Sequence, residues 1–90
     1  MPQIIVNSEG LRAFASILRR EAAALREHQR ALEATRRDLA QIWRDAKYAS
    51  FERAYLPTVA ALDRFCNAAD AYAAYLRNKA EKVDRYLGQR

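Results

Sequence analysis

Leu39-Ala40-Gln41-Ile42-Trp43-Arg44-Asp45-Ala46-Lys47-Tyr48-Ala49-Ser50-Phe51 lies between two long runs of seven-residue apolar periodicity. Upstream, Leu11, Leu18, Leu25, Leu32 and Leu39 recur every seven residues, and Phe14, Glu21, His28, Thr35 and Ile42 follow them three residues on. Downstream, Tyr48, Tyr55, Leu62, Ala69, Leu76 and Val83 repeat the spacing, followed three residues on by Phe51, Thr58, Phe65, Tyr72, Lys79 and Tyr86. Both stripes change phase at one point, which requires the chain to reverse. Asp45 is the one helix-initiating residue nearby, able to cap a second helix or to take a left-handed turn conformation more easily than most residues. The pattern predicts an all-α, single-domain, two-helix antiparallel hairpin with helix one at about 8–42, a turn at about 43–45 and helix two at about 46–87. Trp43 would cover the core at the hairpin end, packed with Phe51.

Outward from the turn, no glycine or proline interrupts residues 11–42, so helix one should be about 50 Å long at roughly 1.5 Å per residue. A seven-residue repeat sustained that far implies left-handed supercoiling against another helix. Alanines at 15, 22, 24 and 31 widen the stripe and admit a close neighbour. Asn7 or Ser8, after the apolar stub Ile4–Val6, suits an N-cap, with Glu9 in the positive first turn. In helix two, Pro57 predicts a kink near 53–57 or a restart of the helix there. Gly88 suits a left-handed C-cap. Glu33 with Arg37 and Glu81 with Arg85 have the spacing of ordinary four-residue ion pairs.

Ninety residues with 51% hydrophobic and 30% charged content make one small domain that needs long helix contacts or a partner to bury enough surface. The formal charge of +5 is spread over a solvated surface and identifies no partner by itself. Cys66 is the only cysteine and His28 the only histidine, so neither an internal disulfide nor a structural zinc ligand set is expected. The N-terminus MPQIIVNSEG lacks the basic region and apolar run of a signal peptide, and no segment has about 20 uncharged apolar residues. A cytoplasmic location is the expectation.

With the hairpin and its turn residues in place, the chain resembles the WXG superfamily of bacterial type VII secretion substrates and chaperone-like partners. Those hairpins carry Trp-X-Gly at the turn and an aromatic residue eight positions after the tryptophan. Trp43, Arg44 and Asp45 occupy the motif, with Asp45 in place of glycine, and Phe51 stands at the aromatic position. Lys47 replaces a small residue common in the family. The family's export spacing, a tyrosine followed four residues later by an acid, is not met: Tyr72 leads to Leu76, Tyr75 to Lys79 and Tyr86 to Arg90. The resemblance implies a homodimer or heterodimer with a similar hairpin forming a four-helix bundle. It also implies association with a toxin-like substrate or an FtsK-like motor ATPase, and export without a classical signal peptide as an alternative to retention in the cytoplasm.

No nucleophile–base–acid set, metal cluster or phosphate-cradling glycine loop can be assembled from these residues, so neither an enzyme nor a cofactor is expected. The functional expectation is a helical interaction protein, a secretion-associated partner, adaptor or substrate acting through dimerisation. Leu56, Val59, Cys66 and Ala73 are the expected second apolar face. The alternative is a small basic helical nucleic-acid-binding protein, because Arg12, Arg19 and Arg26, then Arg30, Arg37 and Arg44 after a four-residue step, repeat at the leucine spacing as a basic stripe. Asp63, Asp70 and Asp84 on helix two complement that stripe, which favours protein contacts. A membrane-surface helix is the weakest alternative, since two matched faces satisfy each other.

Overall fold

A computed structural model describes residues 7–88, which form α1, Ser8–Ala40, and α2, Ala46–Gly88, folded into an antiparallel hairpin. The apolar stub before Asn7 lies outside the described residues. Asn7 caps α1: its backbone is extended and its side-chain oxygen accepts from the Gly10 amide at 3.1 Å, satisfying one of the donors a helix start leaves free. Helix α1 ends two residues earlier than expected. The Ile42 and Trp43 amides both return to the Leu39 carbonyl, at 3.0 and 2.8 Å, so the chain tightens through Gln41 and Ile42 before turning.

Helix α2 runs unbroken through Pro57, with no restart. Pro57 is exposed, so the carbonyl that loses its helical donor there can turn to water. Thr58 Oγ1 donates to the Ala54 carbonyl at 3.0 Å in the same turn. Gly88 is the last helical residue, and among the described residues no glycine has a positive φ; the expected left-handed cap is absent at that position. No described helix is long and apolar enough to cross a membrane.

The seam between the helices uses the predicted leucine and tyrosine positions, apart from Leu32, which is 54% exposed, but a different second position. Ala15 and Ala22 are fully buried, four residues after Leu11 and Leu18, whereas Phe14, three residues after Leu11, is exposed. Helix α2 repeats the choice: Cys66, Ala73 and Ala80 are buried, four residues after Leu62, Ala69 and Leu76, while Phe65 and Tyr72 lie outside. Positions three and four residues beyond a stripe flank it on opposite sides, so the bulky flank predicted to pack within the hairpin faces outward.

Ala22, Cys66 and Ala69 form the centre of the seam, with Leu18 and Leu25 packed against them. Cys66 donates its thiol hydrogen to the Ala22 carbonyl at 3.6 Å, a backbone approach that a larger residue at 22 would prevent. Replacing Ala22 with Leu should therefore force the helices apart and cost about 1–3 kcal/mol, the range for overpacked cores. Urea unfolding of the variant checks this, with an undiminished midpoint counting against the close approach.

Candidate interaction face and turn cluster

At the turn, Asp45 acts as a cap. Its Oδ1 accepts from the Tyr48 amide at 3.1 Å, and its carbonyl takes the first helical bond, from Ala49, at 3.2 Å. No described residue other than glycine has a positive φ, so an aspartate serves here without the left-handed conformation that glycine favours. Trp43 packs edge-on against Tyr48 at 5.3 Å and against Phe51 at 6.2 Å, and Phe51 stacks on Tyr55 at 5.4 Å. The sequence-predicted turn residues Trp43, Asp45 and Phe51 are thus brought to one end of the molecule. Trp43 is half-buried, and Phe51 remains 38% exposed, so the aromatic group covers that end only in part.

Below the aromatics lies a polar cluster that the periodicity did not announce. Arg36 forms a two-pronged pair with Glu33, at 2.6 and 2.9 Å, and donates to Tyr48 Oη at 2.7 Å and Glu52 Oε2 at 3.4 Å. Tyr55, 8% exposed, donates to Glu33 Oε2 at 2.9 Å, and the Arg36 guanidinium sits over its ring. The hydrogen bonds from Arg36 and then Tyr55 pull the Glu33 carboxyl down to about 2. Desolvation, followed by the bond to Glu33, raises the Tyr55 phenol. Arg37, the expected partner of Glu33, is a secondary contact at 3.5 Å; Glu81 and Arg85 form no ion pair among the described residues. A sequence signal for the cluster exists. Arg36 stands four residues after Leu32 and Glu52 four residues after Tyr48, on the flank that carries alanine or cysteine further along each helix, where an apolar seam would not place charge.

The two edges of the hairpin differ. Arg12 pairs with Asp84 at 2.7 Å and Arg26 with Asp70 at 2.9 Å, with Arg26 also donating to Asn67. Hydrogen bonds from Ser8 and then Arg12 hold the Asp84 carboxyl below its usual range. The arginine stripe is therefore partly engaged within the hairpin, and beyond Arg26 it steps to Arg30, which binds Glu27. Antiparallel pairing that brings these positions together brings the opposite flanks of both helices together as well. That second edge carries Phe14 and Ile42 from α1 and Phe51, Phe65 and Tyr72 from α2, and Ile17 and Tyr75 extend it outward. Phe65 is 51% and Tyr72 64% exposed.

The expected interface set is corrected by this arrangement. Val59, Cys66 and Ala73 lie in the seam, with Cys66 and Ala73 fully enclosed. Leu56 is exposed, but it shares the edge of Asp63 and Asp70. The aromatic flank takes the place of these four. Among the described residues no group of three His, Cys, Asp or Glu side chains could hold a metal ion. Comparison with family models, curated proteins and solved structures finds no match.

Two outcomes follow for the turn end. Glu33 has a folded-state pKa below its unfolded value of 4.5, so its contribution is fully present above about pH 4.5 and is lost as pH falls toward about 2. Thermal melts should lose stability across that window, and Glu33→Gln should flatten this loss; an identical acid profile in the variant would contradict it. For Trp43→Ala, the half-buried ring predicts a cost of about 2 kcal/mol, below the 3–5 kcal/mol typical of a fully enclosed aromatic. Chemical unfolding of the monomeric or assembled protein measures it.

Proposed function

We propose that the chain is a WXG-like helical interaction protein, a secretion-associated partner, adaptor or substrate that works by pairing its hairpin with another into a four-helix bundle. The observation that carries this reading is the exposed aromatic flank, with Phe14, Phe51, Phe65, Tyr72 and Tyr75 all outside the hairpin. Large apolar side chains exposed along one flank, here alternating with Glu21, His28, Thr35 and Thr58, are the kind of surface that marks an interaction site. The internal seam supports the same reading, because its fully buried side chains are mostly alanines and bury little area per residue. The chain exposes 7226 Å², where a compact monomer of its mass exposes about 5,400 Å².

Trp43 and Phe51 occupy the two aromatic positions of the WXG pattern and touch each other, which supports the resemblance. Asp45 departs from the pattern's glycine and supplies a cap instead. A toxin-like substrate or an FtsK-like ATPase enters only through the resemblance. The nucleic-acid alternative loses support because Arg12, Arg26, Arg30 and Arg37 already meet carboxylates.

Pairing through this flank makes a measurable demand. Phe65→Ser with Tyr72→Ser should leave the helices formed, since neither side chain is in the seam, while weakening any homo- or hetero-oligomer by about tenfold or more, as expected for aromatic anchors. Sedimentation equilibrium beside circular dichroism tests it; unchanged association of the double variant would move the interface elsewhere.

A further inference from the structure

Resting on that reading, we infer that the partner on the aromatic flank is an acidic helical hairpin, one bearing Asp and Glu beside its apolar stripe, rather than a second copy of this chain. The outward positions of α2 are the one occupied by Phe65, the one before it and the one three residues after it, each repeated in sevens. Every charged residue at these positions is basic: Lys47, Arg64, Lys79, Lys82 and Arg85. Lys79 lies over the Tyr75 ring at 5.9 Å, so positive charge is part of the aromatic surface itself. The five acids of α2 are placed elsewhere: Glu52 is in the polar cluster, Asp70 and Asp84 are on the opposite edge with Arg26 and Arg12, Asp63 shares that edge, and the exposed Glu81 lies beside Arg12 and Arg77.

A second copy answers this charge only in part, because the corresponding outward positions of α1 hold three acids and Arg20 against the five bases of α2. Packing α2 on its own counterpart sets base against base. Packing α2 on α1 meets the corresponding outward acids Glu21, Glu27 and Asp38, of which Glu21 lies 3.8 Å from Arg20 and Glu27 2.6 Å from Arg30. Asp38 is the one acid there without a salt bridge among the described residues. The hairpin measures 68 × 28 × 13 Å, so its flat side provides more than the roughly 800 Å² per partner of a standard interface. Apolar contact supplies the area, and the basic border selects the partner, because like charges across an interface are penalised and opposite ones favoured.

A charge-reversed copy is a defined probe of the right shape. The variant Arg64→Glu, Lys79→Glu, Lys82→Glu, Arg85→Glu is mixed one to one with the wild-type chain and followed by native mass spectrometry and sedimentation at low and high salt. The expected result is a mixed dimer about tenfold or more tighter than wild-type self-association, weakening with salt and lost when the reversed copy also carries Phe65→Ser and Tyr72→Ser. Circular dichroism establishes that the variant is helical, and Arg64→Glu with Lys82→Glu alone should give a smaller shift of the same sign if the fourfold change unfolds it. Wild-type self-association as tight as the mixture would make the second copy the occupant, overturning this inference while leaving the proposed function standing. Absence of both dimers would remove the interface reading as well, and so would a mixed dimer indifferent to Phe65 and Tyr72. A fluorescent single-stranded oligonucleotide is titrated in parallel: tighter binding to the wild-type chain than the reversed copy achieves would hand the flank to nucleic acid and overturn the proposal.

Discussion

Where Ala22 meets Cys66 and Ala69, no side chain larger than a thiol stands between the two helices. Small residues permit this close approach, and they also limit what it contributes, since apolar burial scales with area. Beyond the leucine and tyrosine line that packs beside them, the bulky residues Phe14, Phe65 and Tyr72 consequently stand outside the seam. A hairpin 13 Å thick is one helix deep, so every large side chain not in the seam or against the turn meets solvent or a partner. The exposed aromatic flank is thus a consequence of how the internal contact is made, and the proposed pairing is the natural completion of a domain too thin to enclose its own apolar residues.

The fold class, the turn and the seven-residue phase of both helices were legible because the apolar period persists on each side of Trp43 and breaks only there. The choice of flank was not. Three and four residues beyond Leu18 stand Glu21 and Ala22, and beyond Leu62 stand Phe65 and Cys66; in α2 the larger apolar group is at the third residue, so hydrophobicity alone selects the wrong one. Opposite charge supplies the missing constraint. Arg12 and Arg26 on α1 and Asp84 and Asp70 on α2 each sit next to the alanine-bearing flank and pair across it, so the interhelical ladder and the small residues share one side. For the same reason Val59, Cys66 and Ala73 read from sequence as a second face although they are part of the first.

Pro57 and Gly88 illustrate a different limit. Each residue type has a strong local preference, yet the helix passes through Pro57 and includes Gly88 as its last described residue. Pro57 is exposed, where a missing backbone donor is compensated by water, and its neighbours Tyr55 and Val59 are held in the seam from either side. Gly88 follows Leu87 at the end of α2 with nothing packed from elsewhere in the chain within 4 Å of where a side chain would begin, so packing does not demand a particular backbone there. Tertiary contact in the first case and its absence in the second both override the local signal.

An alanine seam alone would specify the register of the hairpin weakly, because neighbouring alanines offer nearly equivalent contacts. The polar cluster removes that degeneracy. Glu33 and Arg36 on one helix meet Tyr48, Glu52 and Tyr55 on the other through directional bonds. Sliding either helix by a turn would separate Arg36 from Tyr48 and Glu52, and it would strand the Tyr55 hydroxyl, at a cost of about 1–3 kcal/mol for a buried polar group left unpaired. The position of the cluster next to the reversal matters too. With register fixed within a few residues of Asp45, the capped turn need not supply a special backbone conformation to set the crossing, and an aspartate suffices at the turn. The same network carries Tyr48 and Tyr55 into contact with Phe51 and so with Trp43, which couples the aromatic end of the outward face to the bonds that hold the two helices in line.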